Sequence, residues 1–167
     1  MKTLISFCGL LLLTTAVVGF AAEQSKCGFI DRTGKAVIPP QFASASTFQE
    51  GLARIQTEPG GKYGYIDRTG KVVIPPQFAS AGSFSEGQAR IRAEKSGKYG
   101  YIDKAGKAVI PSPIVNKDGR QFSEGLALVW MGGKYGFIDE TGKVVVPPQF
   151  RSVNEFSEGL AAIQTEK

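Results

Sequence analysis

The chain has 167 residues, with 20 Lys and Arg against 15 Asp and Glu, no histidine and a formal charge of +5. That length suits a single domain, and the missing histidine excludes a Ser-His-Asp triad, a Cys-His pair and any His-ligated metal site. The positive excess favours anionic partners only through unspecific electrostatics, with phosphorylated glycans, anionic lipids or acidic proteins ahead of nucleic acid.

Met1-Lys2-Thr3 precedes an apolar run from Leu4 to Phe20, which closes on Gly19-Phe20-Ala21. A positive start, an apolar core and a small-residue cleavage site make 1–21 a signal peptide, cut after Ala21. The alternative is an uncleaved anchor, for which the run is near the lower length limit. The expected location is therefore periplasmic or extracellular. Cys8 leaves with the signal peptide and Cys27 stays alone, so the mature chain has no internal disulfide. No later stretch is long and apolar enough to span a membrane.

Gly-aromatic-Ile-Asp then begins at Gly28, Gly64, Gly100 and Gly136, 36 residues apart each time. A fixed period of this size means stacked copies of one supersecondary unit. The units fall at 26–61, 62–97, 98–133 and 134–167. In the second, Tyr63-Gly64-Tyr65-Ile66 is a strand rich in β-formers. Asp67-Arg68-Thr69-Gly70 fits a type I turn with a glycine bulge between antiparallel strands. Lys71-Val72-Val73-Ile74 is the next strand, which Pro75-Pro76 should end for lack of a ladder donor. A linker rich in Ala and Ser leads to Phe84-Ser85-Glu86-Gly87 and a third strand, Gln88-Ala89-Arg90-Ile91.

Period-2 alternation puts Ala89 and Ile91 on one face and Gln88 and Arg90 on the other. The inner pairs recur as Ala53/Ile55, Ala127/Val129 and Ala161/Ile163, while the outer face drifts. This predicts three strands per unit, about twelve in all, and no helix after the signal peptide.

The residues identical in every unit are mostly glycines, prolines and apolar residues, which set turns, strand ends and packing. Asp31, Asp67, Asp103 and Asp139 are explained by the turn. Glu50, Glu86, Glu124 and Glu158 precede a glycine at a strand start, where they bond backbone N–H groups or pair with Lys35, Lys71, Lys107 and Lys143. The third unit departs from the pattern. Pro113 to Arg120 replaces the usual Gln-Phe-Ala-Ser and delays the Phe-Ser-Glu-Gly group to Phe122. Its third strand carries Leu126, Leu128 and Trp130 in a row, with Met131 next, where the second unit has Gln88, Arg90 and Arg92. Such a row is a candidate partner-binding surface. The competing reading is that the longer loop covers it and makes it core.

The string K-[YC]-G-[YF]-I-D-x-x-G-K-x-V-[IV]-P, followed by F-x-E-G-x-A, resembles the WG repeat, also called the KWG repeat. It covers the chain from Lys26 to about Gln164. Tyr63, Tyr99 and Tyr135 stand where that repeat has tryptophan, and Cys27 stands there in the first unit, which is then a frayed end or a cap. The resemblance implies an all-β repeat module and brings no catalytic residue or ligand with it. The sheets could splay like propeller blades or stack as a solenoid. The chain starts on a first strand and ends on a third, with no sign of a blade completed from both termini. The expectation is therefore an open, propeller-like arc.

The functional expectation is a non-catalytic, exported, monomeric module that binds a protein or a cell-envelope polymer, without cofactor or metal. A glycan hydrolase using paired carboxylates is an alternative. Against it, the recurrent carboxylates sit in matching contexts, whereas that chemistry needs two different environments. A third reading is passive binding of anionic envelope polymers through Arg54, Arg90, Arg92, Lys95 and Lys98.

Overall fold

The structure, a computed structural model, describes residues 25–95, 97–115 and 120–164; the proposed signal peptide lies outside them. Every regular element among the described residues is a strand, and all pairing is antiparallel. No helix among them is long and apolar enough to cross a membrane.

A two-stranded sheet of β1 (Cys27–Ile30) and β2 (Ala36–Phe42) comes first. Three four-stranded sheets follow. The first holds β3 (Ser44–Ala45), β4 (Leu52–Gln56), β5 (Tyr63–Asp67) and β6 (Val72–Phe78). The second holds β7 (Ser80–Ala81), β8 (Gln88–Arg92), β9 (Tyr99–Asp103) and β10 (Ala108–Val115). The third holds β11 (Phe122–Ser123), β12 (Leu126–Met131), β13 (Lys134–Asp139) and β14 (Val144–Phe150). A second two-stranded sheet, β15 (Ser152–Val153) and β16 (Ile163–Gln164), comes last.

Two expectations are corrected here. The sheets have four strands rather than three, because the Ala/Ser linker supplies a two-residue strand too short for period-2 alternation to reveal. The sheets also straddle the sequence period: β4 ends one period and pairs with β5, which opens the next. The described residues accordingly open and close on half-sheets, β1-β2 and β15-β16.

The Asp-x-x-Gly turn forms as its residues dictate. Asp67 Oδ1 accepts from the Thr69 N–H at 2.8 Å, the Thr69 hydroxyl at 2.6 Å and the Lys71 N–H at 3.1 Å. Gly70 takes φ +86°, a left-handed conformation that glycine adopts without steric cost. The same bonds recur at Asp31 and Asp139, and without the hydroxyl at Asp103.

The prolines do not end the second strand. β6 runs through Pro75-Pro76 to Phe78, with Tyr65 opposite Ile74 and Tyr63 opposite Phe78. Three residues of β5 therefore span five of β6. The prolines sit in this bulge on an edge strand, where no ladder donor is required. Gly64 makes room for it: a Cβ there would stand 2.5 Å from the Ile74 carbonyl oxygen and 2.6 Å from the Pro76 nitrogen.

The sheets stack face to face. On the face turned toward the preceding sheet, Ala53, Ile55 and Ile66 pack with Ile38 and Phe42 of β2. On the opposite face, Leu52, Tyr65, Ile74 and Phe78 meet Ala81, Phe84, Ala89, Ile91 and Ile102. Tyr101 and Ile110 meet Phe122, Ala127, Val129 and Ile138 in the next layer. Leu128 and Phe137 meet Val153 in the last. Each four-stranded sheet thus buries residues on both faces, so even the Arg54 and Arg90 positions of the third strands lie between layers.

Candidate functional site

The row of constant tyrosines organises the positions singled out by the sequence. Tyr63 pairs across the sheet with Gln56, and Tyr135 with Trp130. The Arg54 guanidinium lies 5.0 Å from the Tyr63 ring centroid and donates to the Ala81 carbonyl of the next sheet. Arg90 and Arg92 share the Tyr99 ring, at 4.3 and 5.2 Å. The Arg92 Nε is buried and finds no acceptor among the described residues. In the third sheet an aromatic contact replaces the cation: Trp130 and Tyr135 meet edge-on, centroids 4.5 Å apart. Such contacts hold flat side chains in fixed orientation.

The row Leu126, Leu128, Trp130 does not form one exposed patch. Leu128 is 2% exposed and belongs to the last core layer, with Phe137 and Val153. It occupies the register position opposite Phe137 that Arg54 and Arg90 occupy opposite Tyr65 and Tyr101. Leu126 is half-buried against the same cluster, and Met131 packs on the layer around Val129. Trp130 is half-buried. Of the cations, the structure brings Arg90 and Arg92 together on one ring and keeps Arg54 on another. Lys95 is exposed and lines a 230 Å³ cavity with Gly61, Lys62, Ala79 and Glu94. Lys98 is exposed.

The recurrent glutamates reach further than the sequence revealed. Gln49 and Leu52 exchange both backbone hydrogen bonds around Glu50-Gly51, whose φ values are +50° and +89°. Two left-handed residues make this a tight hairpin of the type that asparagine or aspartate usually opens. The same turn recurs at Glu86, Glu124 and Glu158. Glu50 Oε2 accepts from the Gly87 N–H at 3.0 Å and pairs with Lys104 at 3.0 Å. Glu86 accepts from the Glu124 and Gly125 N–H groups at 2.8 and 2.9 Å, and Glu124 from Gly159 at 2.9 Å. The recurrent lysines at 35, 71, 107 and 143 are not these partners. A side chain bonded to the equivalent turn of the next repeat leaves no trace in local spacing; only the recurrence of Glu-Gly pointed to it.

The electrostatics follow from these contacts. The Thr33 hydroxyl and N–H hold the Asp31 carboxyl below its ordinary value. The Thr69 and Thr141 hydroxyls do the same for Asp67 and Asp139, outweighing the opposing effect of desolvation. Burial pushes Glu50 up, but Lys104 and the Gly87 N–H outweigh it and bring the group below its usual value. Burial raises the Tyr65 phenol, whose hydroxyl donates to the Gly82 carbonyl at 2.7 Å, and likewise that of Tyr101. Among the described residues no three His, Cys, Asp or Glu side chains converge as metal ligands.

The model of the WG containing repeat matches residues 28–62, 63–99 and 135–167. Searches of curated proteins and of solved structures found no match. The matched stretches cover more than half of the chain and contain the turns at Asp31, Asp67 and Asp139, the bulge glycines Gly28, Gly64 and Gly136 and the Glu-Gly hairpins at Glu50, Glu86 and Glu158, while the Asp103 turn and the Glu124 hairpin fall between them. The chain belongs to the WG containing repeat family.

Proposed function

We propose that this chain is an exported, non-catalytic repeat module that binds a protein or an envelope polymer through the variable positions beside its constant tyrosines. In this reading 1–21 is removed on export, and 98–133 is a fourth, divergent repeat. The carrying observation is the exchange of Gln56, Arg92 and Trp130 around Tyr63, Tyr99 and Tyr135 on an otherwise constant frame. A constant frame with variable surface positions is how repeat arrays present binding surfaces. The carboxylates support the same reading. Glu50, Glu86 and Glu124 each bond the next repeat in matching geometry, whereas paired-carboxylate hydrolysis requires two contrasting groups.

The Tyr99 cluster also favours anionic partners, since two guanidinium groups flank one ring. The test is affinity capture from the exported fraction with the wild-type chain and with Arg92→Ala and Trp130→Ala. Loss of the same captured species from either variant supports the rim as the binding surface. Equal capture by all three contradicts it. Intact mass of the exported form should begin at Ala22; a chain that keeps Met1 in a membrane fraction contradicts the export reading.

A further inference from the structure

We propose that the C-terminal edge of one copy docks on the N-terminal edge of a second, β16 pairing antiparallel with β1, so that chains associate head to tail. This departs from the monomer expected from sequence and does not depend on which partner the tyrosine rim takes.

The two half-sheets are complementary. In the full sheets the first two strands come from the end of one repeat and the last two from the start of the next, as in β3-β4 and β5-β6. β15-β16 is such a first half and β1-β2 such a second half. Joined, they make one more sheet of the same kind. Among the described residues, the outer edges of β1 and β16 have no partner strand. Unpaired edges of this kind are templates for strand addition.

Side chains that the full sheets cover are exposed at these edges. Ile66 and Ile138 are 0% exposed, while their equivalent Ile30 is 69% exposed. Ile55 is 1% exposed and its equivalent Ile163 is 55%. Leu52 is 8% exposed and its equivalent Leu160 is 78%. In the β4–β5 register Ala53 faces Ile66 and Ile55 faces Gly64. Transferred to the junction, Ala161 faces Ile30 of the second copy, and Ile163 faces its Gly28.

The receiving edge is shaped for this. A 590 Å³ cavity opens beside β1, lined by Cys27, Gly28, Phe29, Ala45 and Phe48. Phe29, Ala45 and Phe48 are the equivalents of Tyr65, Ala81 and Phe84, which enclose Leu52 inside the array. Leu160 of the docking copy enters the cavity at Leu52's position.

The links between repeats are also left open at both ends. Glu158 has the same left-handed turn, φ +54°, as Glu50, Glu86 and Glu124, but follows the last described link. Gly51 is the turn residue equivalent to Gly87, whose N–H serves Glu50. Glu158 of one copy therefore reaches the Gly51 N–H of the next. In the interior, Gly70, Gly106 and Gly142 lie against Ile38, Ile74 and Ile110, whereas Gly34 has open space around it. At the junction Val146, half-buried here, fills that space. The two edges differ, so the contact is heterologous and builds chains or rings rather than two-fold dimers.

Sedimentation velocity across a concentration series of the purified chain, of Ile30→Asp and of Ile163→Asp tests the proposal. Both isoleucines are exposed in a single copy, so matching circular dichroism confirms that each variant is folded. The wild type should gain mass with concentration, and each variant alone should stay single. An equimolar mixture of the two variants should form a two-chain species, because Ile30→Asp keeps a sound C-terminal edge and Ile163→Asp a sound N-terminal one. A wild type that stays single at every concentration, as closure within one chain would produce, overturns the proposal. Association of either variant alone, or a mixture that stays single, also overturns it.

Discussion

Glu86 and Gly125 are joined across 39 positions of the chain by a 2.9 Å hydrogen bond from backbone N–H to carboxylate. The bond costs something locally, since Glu86 takes φ +52°, and a left-handed L-residue is unfavourable by about 1–2 kcal/mol. A hydrogen bond to a charged acceptor contributes about 1.5–3 kcal/mol, and Glu86 accepts two. Both bonds face water, which reduces each contribution, but two together are of the size needed to offset the strain. Repeated at Glu50 and Glu124, the strained turn ties each sheet's hairpin to the next.

Gly64 should tolerate a side chain less well than Gly70. A Cβ on Gly64 would meet backbone at 2.5 Å, whereas on Gly70 it would meet the Ile38 side chain at 3.2 Å, with φ strain added. Gly70→Ala should cost about 1–2 kcal/mol, and Gly64→Ala about 3 kcal/mol or more, because the Pro75-Pro76 bulge must move. Urea unfolding checks the order. Equal effects would mean that the bulge gives way easily.

Leu128 and Trp130 should separate stability from surface. Leu128→Ala opens the last core layer and should cost about 2–4 kcal/mol. Trp130→Ala loses a half-buried edge-on contact with Tyr135 and should cost about 1 kcal/mol. Trp130 is the single tryptophan, so its fluorescence reports this site alone; acrylamide should quench it partly. Full protection from quenching would place it in the core with Leu128.

Much of the frame was legible from residue type. Asp67 and Gly70 announced their turn because its bonds close within four residues, and Ala53/Ile55 announced a buried face by alternation. What was hidden depends on partners far along the chain. Pro75-Pro76 looked like a strand end because nothing local says that Gly64 opens space for a bulge. Ser80-Ala81 is too short to show a period. Leu128 could be read as surface or as core because Arg90 stands at its position one repeat earlier, and only the stacking of sheets shows that both lie between layers.

Acid should weaken the fold through the carboxylates. Asp31, Asp67, Asp139 and Glu50 are held below their unfolded values. Groups depressed in the folded state contribute stability that is present above the unfolded value and lost as pH falls through the folded one. The urea midpoint should therefore stay level from neutral pH to about 5 and decline below about 4. Asp67→Asn should make the decline shallower. A midpoint unchanged at acid pH would mean that these bonds contribute nothing.

The central claim is that the recurrent glutamates join one repeat to the next, and equilibrium urea unfolding of Glu86→Ala tests it most directly. The alanine keeps the left-handed strain and loses both bonds to Glu124 and Gly125, so stability should fall by about 1–3 kcal/mol. Glu86→Gly, which relieves the strain, should fall less. A Glu86→Ala chain as stable as the wild type, or more stable, would contradict the account, because the strain would then be held for a purpose other than joining repeats.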